Sequence, residues 1–262
     1  MSLLTSTNAA YHADKTCLSS TGLKLLLADP ARFYEENVLG KRVEEESNKF
    51  DEGSFTHSLI LEPEKVATDY AIFTGMRKQG AAWEDFKAAN VGKKLLSAPQ
   101  VNRCEALLRA YQALPAALEI MNYTLSEHTM MSTIVDIPVK ARADAINVEG
   151  RYIVDVKTTA MPSDIECFKA TVEQYSYQLS AALYAKIASD TYGHPFDFYW
   201  LVLSKADNGC EIYKASAATM SQGNALVAAA LALYKKCTAS GKWTNEKPLS
   251  TFERLKYEIQ EV

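Results

Sequence analysis

Ala141-Arg142-Ala143-Asp144-Ala145-Ile146, a short turn, and then Ile153-Val154-Asp155-Val156-Lys157-Thr158-Thr159 decide how this chain is read. Residues 138–146 alternate apolar and polar, Asn147-Val148-Glu149-Gly150 is a turn, and 152–157 is a strand. Side chains on a strand alternate faces. Asp155 and Lys157 therefore point one way, while Val154 and Val156 enter the core. The tight turn brings Asp144, on the preceding strand, close to Asp155. Two facing carboxylates repel and raise one another's pKa unless a cation lies between them. Two carboxylates plus a backbone carbonyl suit a hard, octahedral Mg²⁺ or Mn²⁺. A lysine beside them can hold an attacking water or stabilise charge developing on a phosphate. A bare D-x-K is more often a weak surface ion pair. Here its apolar flanks suit a central strand, where charges are not casually placed.

The surrounding pattern gives the architecture. A helix is expected from Ser19 or Ser20 to Ala28, stopped by Asp29-Pro30, and a second from Phe50 to Leu61, ending before Pro63. Lys41 to Phe50 is expected to be a charged connection and Met76 to Gly80 a loop. Helices are expected over 82–89 and 99–114. Residues 127–137 read as a first strand, so three strands form an antiparallel meander. Asp164 to Ala188 reads as one long helix and 196–204 as an apolar strand. Asp207-Asn208-Gly209 is a hairpin turn into a strand over 211–215, and Ser221 to Ser240 is a helix capped by Ser221. The expectation is one α/β domain over 1–262, with a helical N-terminal part to about 122 and a sheet core from about 123. Its centre is a mixed five-stranded sheet flanked by helices.

Composition bounds the function. The 262 residues are 48% hydrophobic and 23% charged, which excludes wholly disordered and fibrous classes. Lys+Arg 28 against Asp+Glu 32 leaves a net charge of −4, so no global basic field points to a nucleic-acid partner. Lys41-Arg42, Arg77-Lys78 and Lys93-Lys94 read as solvated charge that a local phosphate channel could recruit. Five cysteines without a C-x-x-C pair suit a reducing cytosol. The N-terminus lacks a signal-peptide pattern, and the longest apolar run, Ala225 to Leu233, is far short of the ~20 residues a membrane span needs. The expectation is a cytoplasmic protein with no membrane partner.

Asp144 followed by Asp155-Val156-Lys157 resembles the signature of the PD-(D/E)XK nuclease superfamily, with its restriction-endonuclease-like core. Gly53-Ser54-Phe55-Thr56-His57, leading to Leu61-Glu62-Pro63, resembles the G-x-x-x-H helix of the RecB-like and RecE-like branch. Arg142-Ala143-Asp144, Asp155-Val156-Lys157-Thr158-Thr159, the Tyr11-His12 region and the Tyr175 to Tyr184 stretch resemble RecE, the exodeoxyribonuclease VIII type of phage and prophage exonuclease. The similarity runs from about Tyr11 to Trp243.

The resemblance implies a Mg²⁺- or Mn²⁺-dependent exonuclease with two ions per site. It would degrade double-stranded DNA 5′ to 3′ and leave a 3′ single strand for an annealing protein in recombination. His57, Asp144, Asp155 and the Val156 carbonyl would ligate metal, Lys157 would be catalytic, and Glu127 falls where relatives carry a glutamate on the first strand. A homo-oligomeric ring in a bacterial cytoplasm is part of the same implication. Ser20, Thr21 and Lys24 are candidates for a terminal phosphate at a helix N-terminus. Thr158, Gln178 and Tyr184 are further candidate DNA contacts. Tyr175 and Tyr177 read as helix packing, with a DNA groove as their other reading. One position departs from the family: the glutamine expected four residues before Tyr184 is Ser180, and Gln178 lies roughly 200° round a helix from it. The alternatives are a RecB-like endonuclease, a single-strand nuclease, or a non-catalytic DNA-end-binding protein.

Overall fold

The computed structural model describes residues 8–41, 48–75 and 77–244. Helices α1 (Asn8–Ala13), α2 (Ser20–Ala28), α3 (Pro30–Phe33), α4 (Asn48–Leu61) and α5 (Val66–Asp69) come first. Strand β1 (Tyr70–Phe73), α6 (Ala81–Ala89), strand β2 (Lys94–Ser97), α7 (Ala98–Ala113) and α8 (Pro115–Met121) follow. The second half holds β3 (Leu125–Ile134), β4 (Ile137–Asn147), β5 (Tyr152–Thr159), α9 (Ile165–Gln174), α10 (Tyr177–Tyr192), β6 (Asp197–Ser204), β7 (Cys210–Lys214) and α11 (Ala217–Ser240). Among the described residues, no helix is long and apolar enough to cross a membrane.

The expected mixed sheet is present, in the order β3-β4-β5-β6-β7. Its first three strands are an antiparallel meander, β5 and β6 run parallel, and β7 returns antiparallel. A parallel neighbour requires a crossover, which α9 and α10 supply. Both faces are covered. Ile153, Phe198, Trp200 and Val202 pack against α2, α10 and α11. Val154, Val156, Leu201 and Leu203 pack against residues of α4, α7 and α8. Burial on two sides is why β5 and β6 read as nearly continuous apolar runs.

Local chemistry fixes the helix ends. Gly22 N–H donates to Ser19 Oγ at 3.3 Å, capping α2, and Arg32 N–H donates to Asp29 Oδ1, so Asp29 closes one helix and opens the next. Gly241 ends α11 in the left-handed conformation.

The structure differs from the sequence reading in several places: among them, the expected first strand over 127–137 ends at Ile134 and the expected connection over 41–50 gives way to α4 at Asn48. The helix expected over 164–188 is two helices, broken at Ser176, whose φ is 50°. The last helix starts at Ala217 rather than Ser221, because Ser216 Oγ accepts from Thr219 N–H and supplies the cap. Strands β1 and β2 form a separate parallel pair that four-residue segments do not advertise. Helix α8 follows α7 directly, with Pro115 at its first turn. Of the expected connections, residues 42–47 and Met76 lie outside the described residues.

Helices α10 and α11 approach closely at Gly223. A Cβ there would stand 2.0 Å from the Gln178 backbone oxygen and 2.7 Å from Ala182 Cβ. Backbone cannot yield as a side-chain tip does, so Gly223→Ala should lower unfolding free energy by about 1–3 kcal/mol. Denaturant midpoints measure this; an unchanged midpoint would mean that the two helices separate freely.

Candidate active site and metal centre

The site forms where two strand ladders open at Asp144. The β4–β5 ladder pairs Asn147 with Tyr152, Ile146 with Ile153 and Ala145 with Val154, and then stops. Continuing that register would set Asp144 opposite Asp155. On its other side, β4 pairs with β3 on both sides of Glu127 but not at the Glu127–Asp144 position, and Glu127 has φ 51°. Side-chain alternation also slips here: Ala141 and Ala143 face the core under α10, whereas Ala145 faces the opposite one. In an unbroken strand these three would share a face. A non-glycine residue at positive φ costs on the order of 1–3 kcal/mol and persists only where its surroundings hold it. Where the ladder opens, Val156 N–H donates to Asp144 Oδ2 at 2.8 Å instead of to a strand carbonyl.

Helix α4 closes the opening from one side. A Cβ at Gly53 would lie 3.3 Å from Thr158 Oγ1, so the absent side chain lets the helix run close to β5. One turn later, His57 Nδ1 stands 3.7 Å from Asp144 Oδ2, and its imidazole hydrogen-bonds the backbone of Val156. This is the physical content of the G-x-x-x-H spacing. Ligand atoms of His57, Glu127 and Asp144 all lie within 4.8 Å of one another. Arg142 Nε donates to Glu127 Oε2 at 2.6 Å and aims that carboxylate.

Electrostatics mark the cluster. Withdrawal from water, reinforced by the Lys157 charge, lowers the His57 pKa to about 4, leaving a neutral imidazole able to donate a lone pair. Burial, then the neighbouring Asp155, raises Asp144 to about 7. Burial and Asp144 likewise raise Glu127. Crowded carboxylates held above their ordinary range are what an acidic cation site looks like without its cation.

Asp155 lies on the same side of β5 as Lys157, as strand alternation predicts. Its buried carboxylate forms a close ion pair with Lys157, and it stands outside the His57–Glu127–Asp144 group. Burial opposes the charge on Lys157, but Asp155 and Asp144 outweigh it and hold the ammonium protonated. Lys157 Nζ also lies 3.5 Å from the Val156 carbonyl oxygen.

The remaining candidates divide. Lys24 is brought towards Lys157: burial, then that like charge, lowers its pKa to about 8. Tyr184 lies near Asp155 and shares a hydrogen bond with the buried Ser20. Thr158 packs against α4, and Thr21 is exposed. Gln178 is displaced from the face carrying Tyr177, Ser180 and Tyr184, and its buried Oε1 has no hydrogen-bond partner among the described residues. Ser180 therefore still stands where the family pattern has glutamine. Sequence reasoning gave Tyr177 as helix packing, with a DNA groove as its other reading; its ring centroid lies 5.2 Å from Lys157 Nζ. It also assigned no role to Arg142, although the R-x-D spacing contained it.

Mutual repulsion makes the cation-free cluster a source of instability. A carboxylate with a raised folded-state pKa stabilises at low pH and loses that contribution as pH rises through the raised value. Metal-free Asp144→Asn should therefore gain stability relative to the wild type between about pH 5 and pH 8. Mn²⁺ at 100 times its dissociation constant should stabilise the wild type by about 2.7 kcal/mol, a melting shift of roughly 5–10 °C, and Asp144→Asn far less. Equal shifts in both proteins would place the metal elsewhere.

No curated protein matches the sequence. A solved protein from Eubacterium rectale, provisionally assigned as an exonuclease, aligns with a TM-score of 0.65 and 16% identity over 90% of this chain and 88% of its own. A phage-related exonuclease from Haemophilus somnus 129PT aligns over 86% of this chain and 96% of its own, at 8% identity and a TM-score of 0.37. The first of these shows a shared fold. Residues 19–249 match the model of the family described as PDDEXK-like domain of unknown function (DUF3799). With most of its length in that match and the expected sheet at its centre, the chain belongs to this PDDEXK-like family.

Proposed function

We propose that the protein is a metal-dependent exodeoxyribonuclease that degrades the 5′-ended strand of linear duplex DNA. The observation that supports this most is the gathering of His57, Glu127 and Asp144 at an opened strand ladder, beside the Asp155–Lys157 pair. The donor set fits Mg²⁺ or Mn²⁺: hard carboxylate oxygens, the Val156 carbonyl and one neutral imidazole. His57, Glu127, Asp144 and Asp155 would hold two ions. Once bound, they supply Lewis-acid activation of water and charge stabilisation at the leaving oxygen.

The chain's own groups do the rest. Lys157, kept protonated beside Asp155, would stabilise the charge that builds on the phosphate. Lys24 brings a second ammonium to the same region, and it replaces the free helix N-terminus as our candidate for gripping a terminal 5′-phosphate. Ser20 serves through Tyr184 rather than by facing DNA directly. The exonuclease polarity, the 3′ overhang passed to an annealing protein and a ring-shaped oligomer rest on the RecE resemblance. The name of the Eubacterium rectale relative supports the exonuclease reading alone.

Linear duplex labelled at either 5′ or 3′ ends, with and without Mg²⁺, tests the proposal. Metal-dependent release of 5′ label first, with closed circles spared, is the expected result. Cutting of closed circles would favour the endonuclease reading, and end binding without hydrolysis the non-catalytic one. Lys157→Arg, which spreads the charge over a planar fork, should lose at least ~10²-fold in rate with little change in DNA affinity. Asp155→Ala should abolish hydrolysis while the fold survives, and undiminished cleavage by either variant would remove the pair from the reaction.

A further inference from the structure

Helices α9 and α10 are separated by a break at Ser176. Ser176 sits there with φ 50° and ψ 47°, a left-handed conformation that a serine adopts at a cost. In a continuous helix, Tyr175 and Tyr177 would point roughly 200° apart. The left-handed residue between them instead lays the two rings side by side, with centroids 5.7 Å apart and planes 24° from parallel.

The two ends of this stack differ. The Tyr177 ring is half-buried, and Lys157 Nζ and Lys24 Nζ lie 5.2 Å and 5.3 Å from its centroid. Tyr177 thus touches both ammonium groups of the candidate site. Tyr175 is 53% exposed and belongs to none of the core clusters. A strained backbone therefore holds an exposed aromatic ring on a second ring, and the second ring lies against Lys157 and Lys24.

Building on the nuclease reading above, we infer that Tyr175 and Tyr177 form a stacking platform for an unpaired nucleobase of the strand being cut. Tyr175 receives the base. Tyr177 backs it and ties it to Lys157 and Lys24, so the base is held while its phosphate faces the two cations. Such a platform is indifferent to sequence, because every base offers a π-face. It needs a base that is out of the duplex, which makes a frayed end, rather than intact paired DNA, the form of substrate bound next to the cut. Stacking also offsets part of the cost of opening the end.

The test is a cycle between the protein and the DNA. Wild type, Tyr175→Phe and Tyr175→Ala are titrated in EDTA with 5′-phosphorylated duplexes carrying an abasic nucleotide at successive positions from the 5′ end. The same set is then assayed for hydrolysis with Mn²⁺. Tyr175→Ala should bind intact DNA about 10-fold or more weaker, through KM rather than kcat, while Tyr175→Phe stays within about 2-fold of the wild type. At one position, the abasic substitution should weaken the wild type by the same factor and leave Tyr175→Ala unaffected. A merely structural tyrosine would not couple to a missing base. Independent effects at every position, or an unchanged KM in Tyr175→Ala, would overturn the platform while leaving the nuclease intact. A wild type that hydrolyses no DNA strikes the nuclease reading itself, and the platform falls with it.

Discussion

Everything at the candidate site depends on one interrupted ladder. A paired β4 would bury the backbone groups of residues 144 and 156 in hydrogen bonds and leave no room between the strands. Because pairing ends at Ala145 and Val154, the Asp144 carboxylate takes the Val156 N–H itself and turns into the gap. That places a negative group where burial and Asp155 both oppose its charge. Cations nearby answer the repulsion: Lys157 pairs with Asp155, and Arg142 with Glu127. Each acidic side chain is thus held by a partner that also fixes its direction.

The rest of the fold serves this opening. A sheet covered on both faces gives β5 a rigid base, which loops alone would not provide. Helix α4 carries His57 to the gap because Gly53 lets it approach Thr158. The N-terminal half of α4 is anchored by Glu52, which Arg103 meets at 2.5 Å and Lys205 at 3.6 Å. On the other face, α2 and α10 bring Lys24, Tyr177 and Tyr184 to the Asp155–Lys157 side. The helical N-terminal half is therefore part of the site. It contributes the imidazole, one ammonium and the serine that bonds Tyr184.

How much of this the sequence discloses follows from the range of the interactions involved. Asp144, Asp155 and Lys157 are legible because strand alternation and a short turn are local rules, and the five-stranded sheet follows from the same rules. His57 is legible only through the resemblance, since a helix 87 residues before Asp144 has no local tie to it. The left-handed Glu127 and Ser176 are not legible, because both are conformations that tertiary packing imposes against residue preference. Without the break at Ser176, the stacking of Tyr175 on Tyr177 is not legible either. The pairing of Asp155 with Lys157 is legible from the same alternation, since residues two apart on a strand share a face.

The most direct test of the account is anomalous diffraction from crystals grown with Mn²⁺. The account predicts a manganese peak bounded by Asp144, Glu127, His57 and the Val156 carbonyl, at roughly 2.0–2.3 Å from its ligand atoms. Manganese bound elsewhere, with Asp144 still engaged only by the Val156 N–H, would contradict the claim that the opened ladder exists to hold a metal.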